Sequence, residues 1–304
     1  MTGVATHEHH PTHHDGDVHL DEATWAELAA QTELEGELLI GFVTDTMERV
    51  NDLRGPDAPT VRRVLDIGCG PGVSTCELAR VFPAARVVGL DGSSAMLSRA
   101  SRRANDHGLG DRVSTHLADL PGGLDGIEPV DLMWASMSLH HIGDQTSLLQ
   151  VLRDLVAPSG VVAIAEIADP MAVLPERLDI GRPGLADRLE RAGAEWFEAL
   201  RRGLTGGAPS PDICSMLRSA GFDVIDSRIA RERFDPPLSD AARQAVLGHL
   251  RRTRRHLAEL LDAGDLEAID VLTDEGDPRG VLHRPDVFVA ASREIIVARP
   301  SEDR

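Results

Sequence analysis

The 304-residue chain has no tyrosine, and aromatic residues make up only 3% of it. So few rings leave little on which nucleic-acid bases could stack. Positive charge is also short: 31 Lys and Arg stand against 50 Asp and Glu, a net charge of −19. An acidic surface of this kind repels a phosphate backbone, so nucleic acid is not expected as a partner. Cysteine occurs only as Cys69, Cys76 and Cys214, without zinc-site spacing. This usage fits a reducing cytosol, with no disulfide framework and no metal site. The sequence shows no run apolar and long enough to span a bilayer and no signal peptide, so a cytoplasmic protein without membrane association is expected. There is no clear internal repeat.

Apolar residues form 42% of the chain, enough for one large domain or a core with a lid. The most informative segment is 64–72, V-L-D-I-G-C-G-P-G. Its apolar start reads as a buried parallel strand. Gly68, Gly70 and Gly72 let the backbone turn sharply and approach a ligand, and helix formers follow over 74–81. A strand, a glycine turn and a helix N-terminus make a nucleotide-type cradle. A dinucleotide site wants G-x-G-x-x-G. Here the spacing is G-x-G-x-G, and Asp66 stands two residues before the first glycine. That carboxylate repels a pyrophosphate and attracts an ammonium or sulfonium. Three further motifs follow in order: A-R-V-V-G-L-D at 85–91, R-V-S-T-H-L-A-D-L-P at 112–121, and V-D-L-M-W-A-S-M-S-L-H-H-I-G-D at 130–144. The first ends in Asp91, roughly 20 residues beyond the glycines, where a ribose-binding acid belongs. Taken alone, that acid also reads as a helix cap, beside Ser93 and Ser94.

Over residues 64–144 the chain resembles the class I S-adenosyl-L-methionine (SAM)-dependent methyltransferases, with segment 64–72 as their first motif. The resemblance implies an α/β fold: a Rossmann-like seven-stranded sheet, last strand antiparallel, with helical lid insertions. It implies SAM as cofactor. Asp91 then holds both ribose hydroxyls, Asp119 reaches the adenine amino group, and Ala118 and Leu120 flank the ring. The cofactor-binding set it implies is Asp66, Gly68, Cys69, Gly70, Gly72, Asp91, Gly92, Ala118, Asp119, Leu120 and Ser136. No Asn/Asp-Pro-Pro-aromatic signature follows the fourth strand, so the chain does not resemble the DNA amino-methyltransferases.

The expected organisation is a disordered His-rich tail (1–20), N-terminal lid helices (21–56), a SAM-binding core (57–169), a helical insertion (170–210), a core segment (211–233), a second helical insertion roofing the acceptor (234–285), and the last core strand with a tail (286–304). His7, His9, His10, His13, His14 and His19 crowd the tail, where metal binding would be adventitious. Leu28, Leu34, Leu38, Leu39, Phe42, Val43 and Met47 recur at helical spacing, with Asp21 as cap, Gly41 loosening the middle and Trp25 as a candidate lid contact. A helix is expected over 144–156, strands over 161–168, 223–229 and 287–298, and a helix over 211–221. Val246, Leu250, Leu257, Leu260 and Leu261 sit at core spacing. Arg251, Arg252, Arg254 and Arg255 read as a solvated face with i,i+4 pairs beside Glu259 and Asp262. The apolar lid faces permit a homodimer.

The sulfonium methyl of SAM is already electrophilic. The acceptor must lie in line with the S–CH₃ bond in a water-excluded pocket, at about 3 Å. A base is needed only where the nucleophile loses a proton. His140 and His141 are the candidates, His140 slightly favoured, with Glu166 as a second base or a cation-binding group. The expected function is O- or N-methylation of a small-molecule acceptor in specialised metabolism, with C-methylation open. A SAM-binding protein that transfers no methyl, acting as rearrangement aid or scaffold, is the alternative from another class. A dinucleotide oxidoreductase is the third.

Overall fold

The structure, a computed structural model, describes residues 22–204 and 212–302, and the side chains of all of these except 22–25 and 27. The tail over 1–20, the cap expected of Asp21 and the contact expected of Trp25 lie outside the described residues.

The chain begins with α1 (Glu22–Leu38), α2 (Gly41–Arg54), β1 (Arg63–Ile67), α3 (Val73–Val81), β2 (Arg86–Asp91), α4 (Ser94–Asp106), β3 (Val113–Leu117) and β4 (Val130–Ser136). A 3₁₀ turn (Leu139–His141), α5 (Gln145–Arg153), β5 (Val156–Ala172), α6 (Leu185–Gly203) and α7 (Ile213–Ser219) follow. The described chain closes with β6 (Phe222–Phe234), α8 (Asp240–His256), α9 (Ala263–Thr273) and β7 (Val289–Pro300).

One seven-stranded sheet has the order β3-β2-β1-β4-β5-β7-β6. Strands β1 to β5 pair in parallel, and β7 runs antiparallel between β5 and β6. This is the Rossmann-like arrangement expected from the motifs. Val64, Leu65 and Ile67 of β1 are wholly buried because both faces of the sheet are covered. One face packs on α2, α3 and α4 through Met47, Leu78 and Trp134; the other packs on α5 and α7 through Leu148, Leu149 and Leu217. From β1 the chain moves outward to β2 and β3, then returns to place β4 on the other side. The crevice for a ligand therefore opens beyond the carboxyl ends of β1 and β4.

A third core starts from Val289 and Ala291 of β7. It joins Leu39 and Phe42 to Val173, Leu174 and Leu185, to Val246 and Leu250 of α8, and to Ile269 and Leu272 of α9. The two stretches expected as insertions thus share one apolar interior with the junction of α1 and α2.

Several boundaries differ from expectation. The N-terminal helices part at Leu39 and Ile40, just before the Gly41 expected to loosen the middle. The helix expected over 144–156 ends at Arg153; it starts on Asp144, whose side chain accepts the Ser147 N–H at 3.0 Å. Val156 already pairs with Val130 as the start of β5. Leu260 is 39% exposed rather than in the core, because α8 stops at His256 and the turn after it breaks the helical phase. The arginines of α8 find acids on other elements, not their own: Arg251 pairs with Glu275, Arg252 with Glu35 of α1, and Arg254 with Asp270 of α9.

Candidate functional site

The loop after β1 has three residues in the left-handed region, Gly68 (φ +66°), Gly70 (φ +51°) and Gly72 (φ +81°). Gly68 is also crowded: a methyl group on it would collide with Cβ of Ser138, just past β4. At Gly72 the same methyl would come 2.7 Å from Cβ of Ala100 on α4. Glycine lets the loop fold down between two neighbours at once.

Two acids frame this loop. Asp91, at the end of β2, accepts the Gly70 N–H on Oδ2 at 2.9 Å and the Ser93 N–H on Oδ1 at 2.8 Å. It holds the glycine loop and the start of α4 in place. Asp66 is 1% exposed, and its Oδ2 accepts the Thr75 hydroxyl at 2.6 Å. Burial pushes Asp66 up to about 7; the Thr75 hydrogen bond opposes this and the charge of Asp91 adds to it. The Cys69 thiol is raised well above its ordinary value by burial and by both acids, so it stays a protonated, apolar filler.

Beyond β3, the Ala118 N–H donates to the Asp91 carbonyl at 3.2 Å and binds the third motif to the second. Ala118 is buried, Leu120 half-buried, and Asp119 stands exposed at the rim with Gly92. Ser136 closes β4. The serine that meets the glycine loop is Ser138, two residues further on. Its hydroxyl is buried and, among the described residues, has no hydrogen-bond partner.

The 3₁₀ turn after Ser138 brings all three candidates close together, but only His140 hydrogen-bonds Glu166. Glu166 of β5 is buried; its Oε1 accepts the N–H groups of Ser138 (3.1 Å) and Leu139 (2.8 Å). Its Oε2 lies 2.7 Å from His140 Nδ1. The His141 ring lies tilted at 44° against that of His140, with centroids 4.1 Å apart, and burial and its neighbour push it down to about 4. His141 is therefore neutral at pH 7 and a poor proton acceptor, whereas His140 has a carboxylate to orient it. Arg201 of α6 is 2% exposed and donates to the carbonyls of His140 and Ile142, each at 2.8 Å, which anchors α6 to the turn.

Helix α1 lies over the glycine loop. Gly36 packs on Val73, and Thr32 faces Gly70. Glu33 and Glu37 bind Arg103 of α4, and Glu35 binds Arg252 of α8. Burial would raise Glu35, yet the charge of Arg252 and then His249 brings it down to about 2, so it remains ionised.

Sequence reasoning assigned no role to Thr75, Arg201 or Glu35. Arg201 and Glu35 face partners 59 or more residues away, a distance that local patterns do not reveal. Thr75 sits on the first turn of α3 at a spacing from Asp66 that a strand–turn–helix unit brings into contact.

These residues fit SAM. A methyl-free cradle, an orphaned Ser138 hydroxyl and two carboxylates surround a crevice suited to a polar, cationic molecule. Among the described residues no group of three His, Cys, Asp or Glu is placed to hold a metal, and no helix is long and apolar enough to cross a membrane.

Comparison with known proteins identifies the family. Residues 64–160 match the family described as Methyltransferase domain. A trans-aconitate 2-methyltransferase of Methylobacterium radiotolerans is 31% identical over 248 residues, which cover 76% of this chain and 87% of that protein. That of Variovorax paradoxus is 39% identical over 106 residues, 35% of this chain and 39% of that protein. Among solved structures, an O-methyltransferase family protein from Burkholderia thailandensis shares the fold with a TM-score of 0.52 at 15% identity, over 93% of this chain and 62% of that one. With the four motifs in order around one crevice, and a relative matched over most of its length, the chain belongs to the class I SAM-dependent methyltransferases.

Proposed function

We propose that this protein transfers the methyl group of SAM to an oxygen of a small organic acid bearing several carboxylates. The observation that carries the reading is the His140–Glu166 pair at 2.7 Å, set just past the glycine loop at the carboxyl end of β4. With Glu166 on Nδ1, the imidazole has Nε2 left for an acceptor oxygen. Protonated, it donates to a carboxylate; neutral, it takes the proton of a hydroxyl. The relatives named as trans-aconitate 2-methyltransferases favour an acid as that acceptor.

When bound, SAM supplies an electrophilic methyl on a sulfonium. Gly68, Gly70 and Gly72 would let the backbone approach it, Asp91 would take the ribose hydroxyls, and Ala118, Asp119 and Leu120 would face the adenine. Ser138 offers its unpaired hydroxyl beside Gly68, and Asp66 places negative charge under the loop. A carboxylate is already ionised at neutral pH, so the protein need not remove a proton from it. Its task is then to hold one carboxylate oxygen in line, at about 3 Å, and to keep water out. Helices α1, α6 and α8 provide the cover.

Incubation with methyl-labelled SAM and trans-aconitate, a phenol and a primary amine tests the reading. Label recovered as a base-labile methyl ester supports it. Label found only on the phenol or the amine overturns the acid, and SAM binding without transfer to any acceptor supports a binding protein instead.

A further inference from the structure

The chain contains no lysine, so arginine and histidine are its only cationic side chains. Around the mouth of the sheet most arginines are engaged. Arg99 and Arg103 bind acids of α1, Arg252 binds Glu35, and Arg201 binds backbone carbonyls. Arg293 is different. It sits on β7 opposite Ile167, one step outward from the Glu166–Glu294 pair. Its guanidinium lies over the ring of Phe42 on α2, with 5.5 Å to the ring centre. Its hydrogen bond goes to a neutral group, the carbonyl of the adjacent Ser292, at 3.0 Å. Among the described residues no carboxylate comes within ion-pair distance of it.

A guanidinium half-buried in this way is costly unless something charged completes it. Burial does weaken its hold on its proton, while the more distant charges of Glu35, Glu166 and Glu232 oppose that effect. Those three acids do not close on it. Glu35 is bound to Arg252, Glu166 is committed to His140 and two backbone N–H groups, and Glu232 is pushed toward its neutral form by burial and by Asp45. Paired with Arg293 across β5 and β7, Ile167 is 38% exposed, an apolar side chain left open to solvent. A planar fork of N–H donors next to an open apolar surface matches a carboxylate joined to a short carbon skeleton.

We propose that Arg293 is the anchor that grips a second carboxylate of the acceptor, one that is not methylated, and so selects di- and tricarboxylic acids. The inference rests on the acid-methylating reading above and deepens it. Arg293 then acts in binding and orientation: one carboxylate on its guanidinium fixes the skeleton, and another is presented to the His140 side of the crevice.

The test is calorimetric titration of trans-aconitate into protein saturated with S-adenosylhomocysteine, the demethylated product. Arg293→Gln should weaken trans-aconitate by about tenfold or more, since a bidentate charge-assisted contact is lost. Arg293→Lys should recover part of that loss, having the charge without the fork. The affinity of both variants for S-adenosylhomocysteine should equal that of the wild type, which also reports folding. If Arg293→Gln does not fold, Arg293→Lys decides alone, through a loss of at least about threefold. Wild-type affinity for trans-aconitate in the folded variants overturns the role of Arg293 and leaves the acid acceptor standing. A wild-type protein that binds neither trans-aconitate nor citrate overturns the acid acceptor itself, and this inference with it.

Discussion

Glu166 divides its two oxygens between the backbone and a ring: Oε1 takes the N–H groups of Ser138 and Leu139, and Oε2 lies 2.7 Å from His140 Nδ1. The strand end, the turn and the imidazole are thereby set by one side chain. Glu166→Gln preserves the shape and changes the chemistry. The amide oxygen keeps the two N–H donors, so the amide NH₂ faces His140 and forces the ring proton onto Nε2. The ring can then no longer take a proton from an acceptor hydroxyl, nor be held as an imidazolium. Turnover on a hydroxyl acceptor should fall by about 10²-fold, and on a carboxylate acceptor by about tenfold. SAM affinity should hold. Steady-state rates beside calorimetric SAM binding check the split.

Asp66 makes SAM binding depend on pH. Its carboxyl titrates at about 7 in the buried site, chiefly through burial. The cationic sulfonium favours the ionised form and the uncharged thioether of S-adenosylhomocysteine does not. As pH falls from about 8 to about 6, the affinity for SAM should drop relative to that for the product. In Asp66→Asn this difference should vanish. Stability moves the other way. An acid whose folded value lies above its unfolded one contributes most below the unfolded value and loses that contribution as pH rises through about 7. Wild-type thermal stability should therefore fall relative to Asp66→Asn over the same rise in pH. A flat ratio of SAM to product affinity would count against this role.

Asp91 carries two expectations at once. Asp91→Ala removes the acceptor proposed for the ribose hydroxyls and also releases Gly70 and Ser93, whose N–H groups it accepts. SAM affinity should drop at least about tenfold, each hydrogen bond to a charged group contributing about 1.5–3 kcal/mol. Adenine-containing ligands without ribose hydroxyls should lose less. Comparable losses for SAM and its dideoxy analogue would assign Asp91 to the loop alone.

The first four strands were legible because each couples an apolar run to an end with strict chemical demands, as in Leu65 to Gly72. The antiparallel place of β7 came from family resemblance, since nothing in its residues states a direction. What escaped was contact between distant positions. His140 and Glu166 were both candidates, each named for itself, and 26 residues of intervening helix and strand hid their hydrogen bond. Leu260 shows another limit: helical spacing predicts burial only while the helix continues, and α8 ends four residues earlier. Arg293 did leave a trace, an arginine inside an apolar strand, which periodicity treats as an outward-facing side chain.

The last prediction concerns α1. Glu33 binds Arg99 at 3.3 Å and also Arg103, and Glu37 binds Arg103 as well. This latch holds α1 over the glycine loop, where Thr32 faces Gly70 and Gly36 packs on Val73. A cofactor seated against that loop is expected to leave past this helix. Arg103 is only 12% exposed, so its pairs are better shielded than surface bridges, and losing both costs about 1–2 kcal/mol. Arg103→Gln should therefore speed the release of S-adenosylhomocysteine by about fivefold or more, read by stopped-flow displacement. Added salt should hasten release from the wild type and have less effect on the variant, because the latch is electrostatic. Arg63→Gln, which breaks an exposed ion pair with Glu128 at the start of β1, serves as the control and should leave release unchanged. Equal release rates from wild type and Arg103→Gln would mean that the cofactor leaves by a path that α1 does not cover.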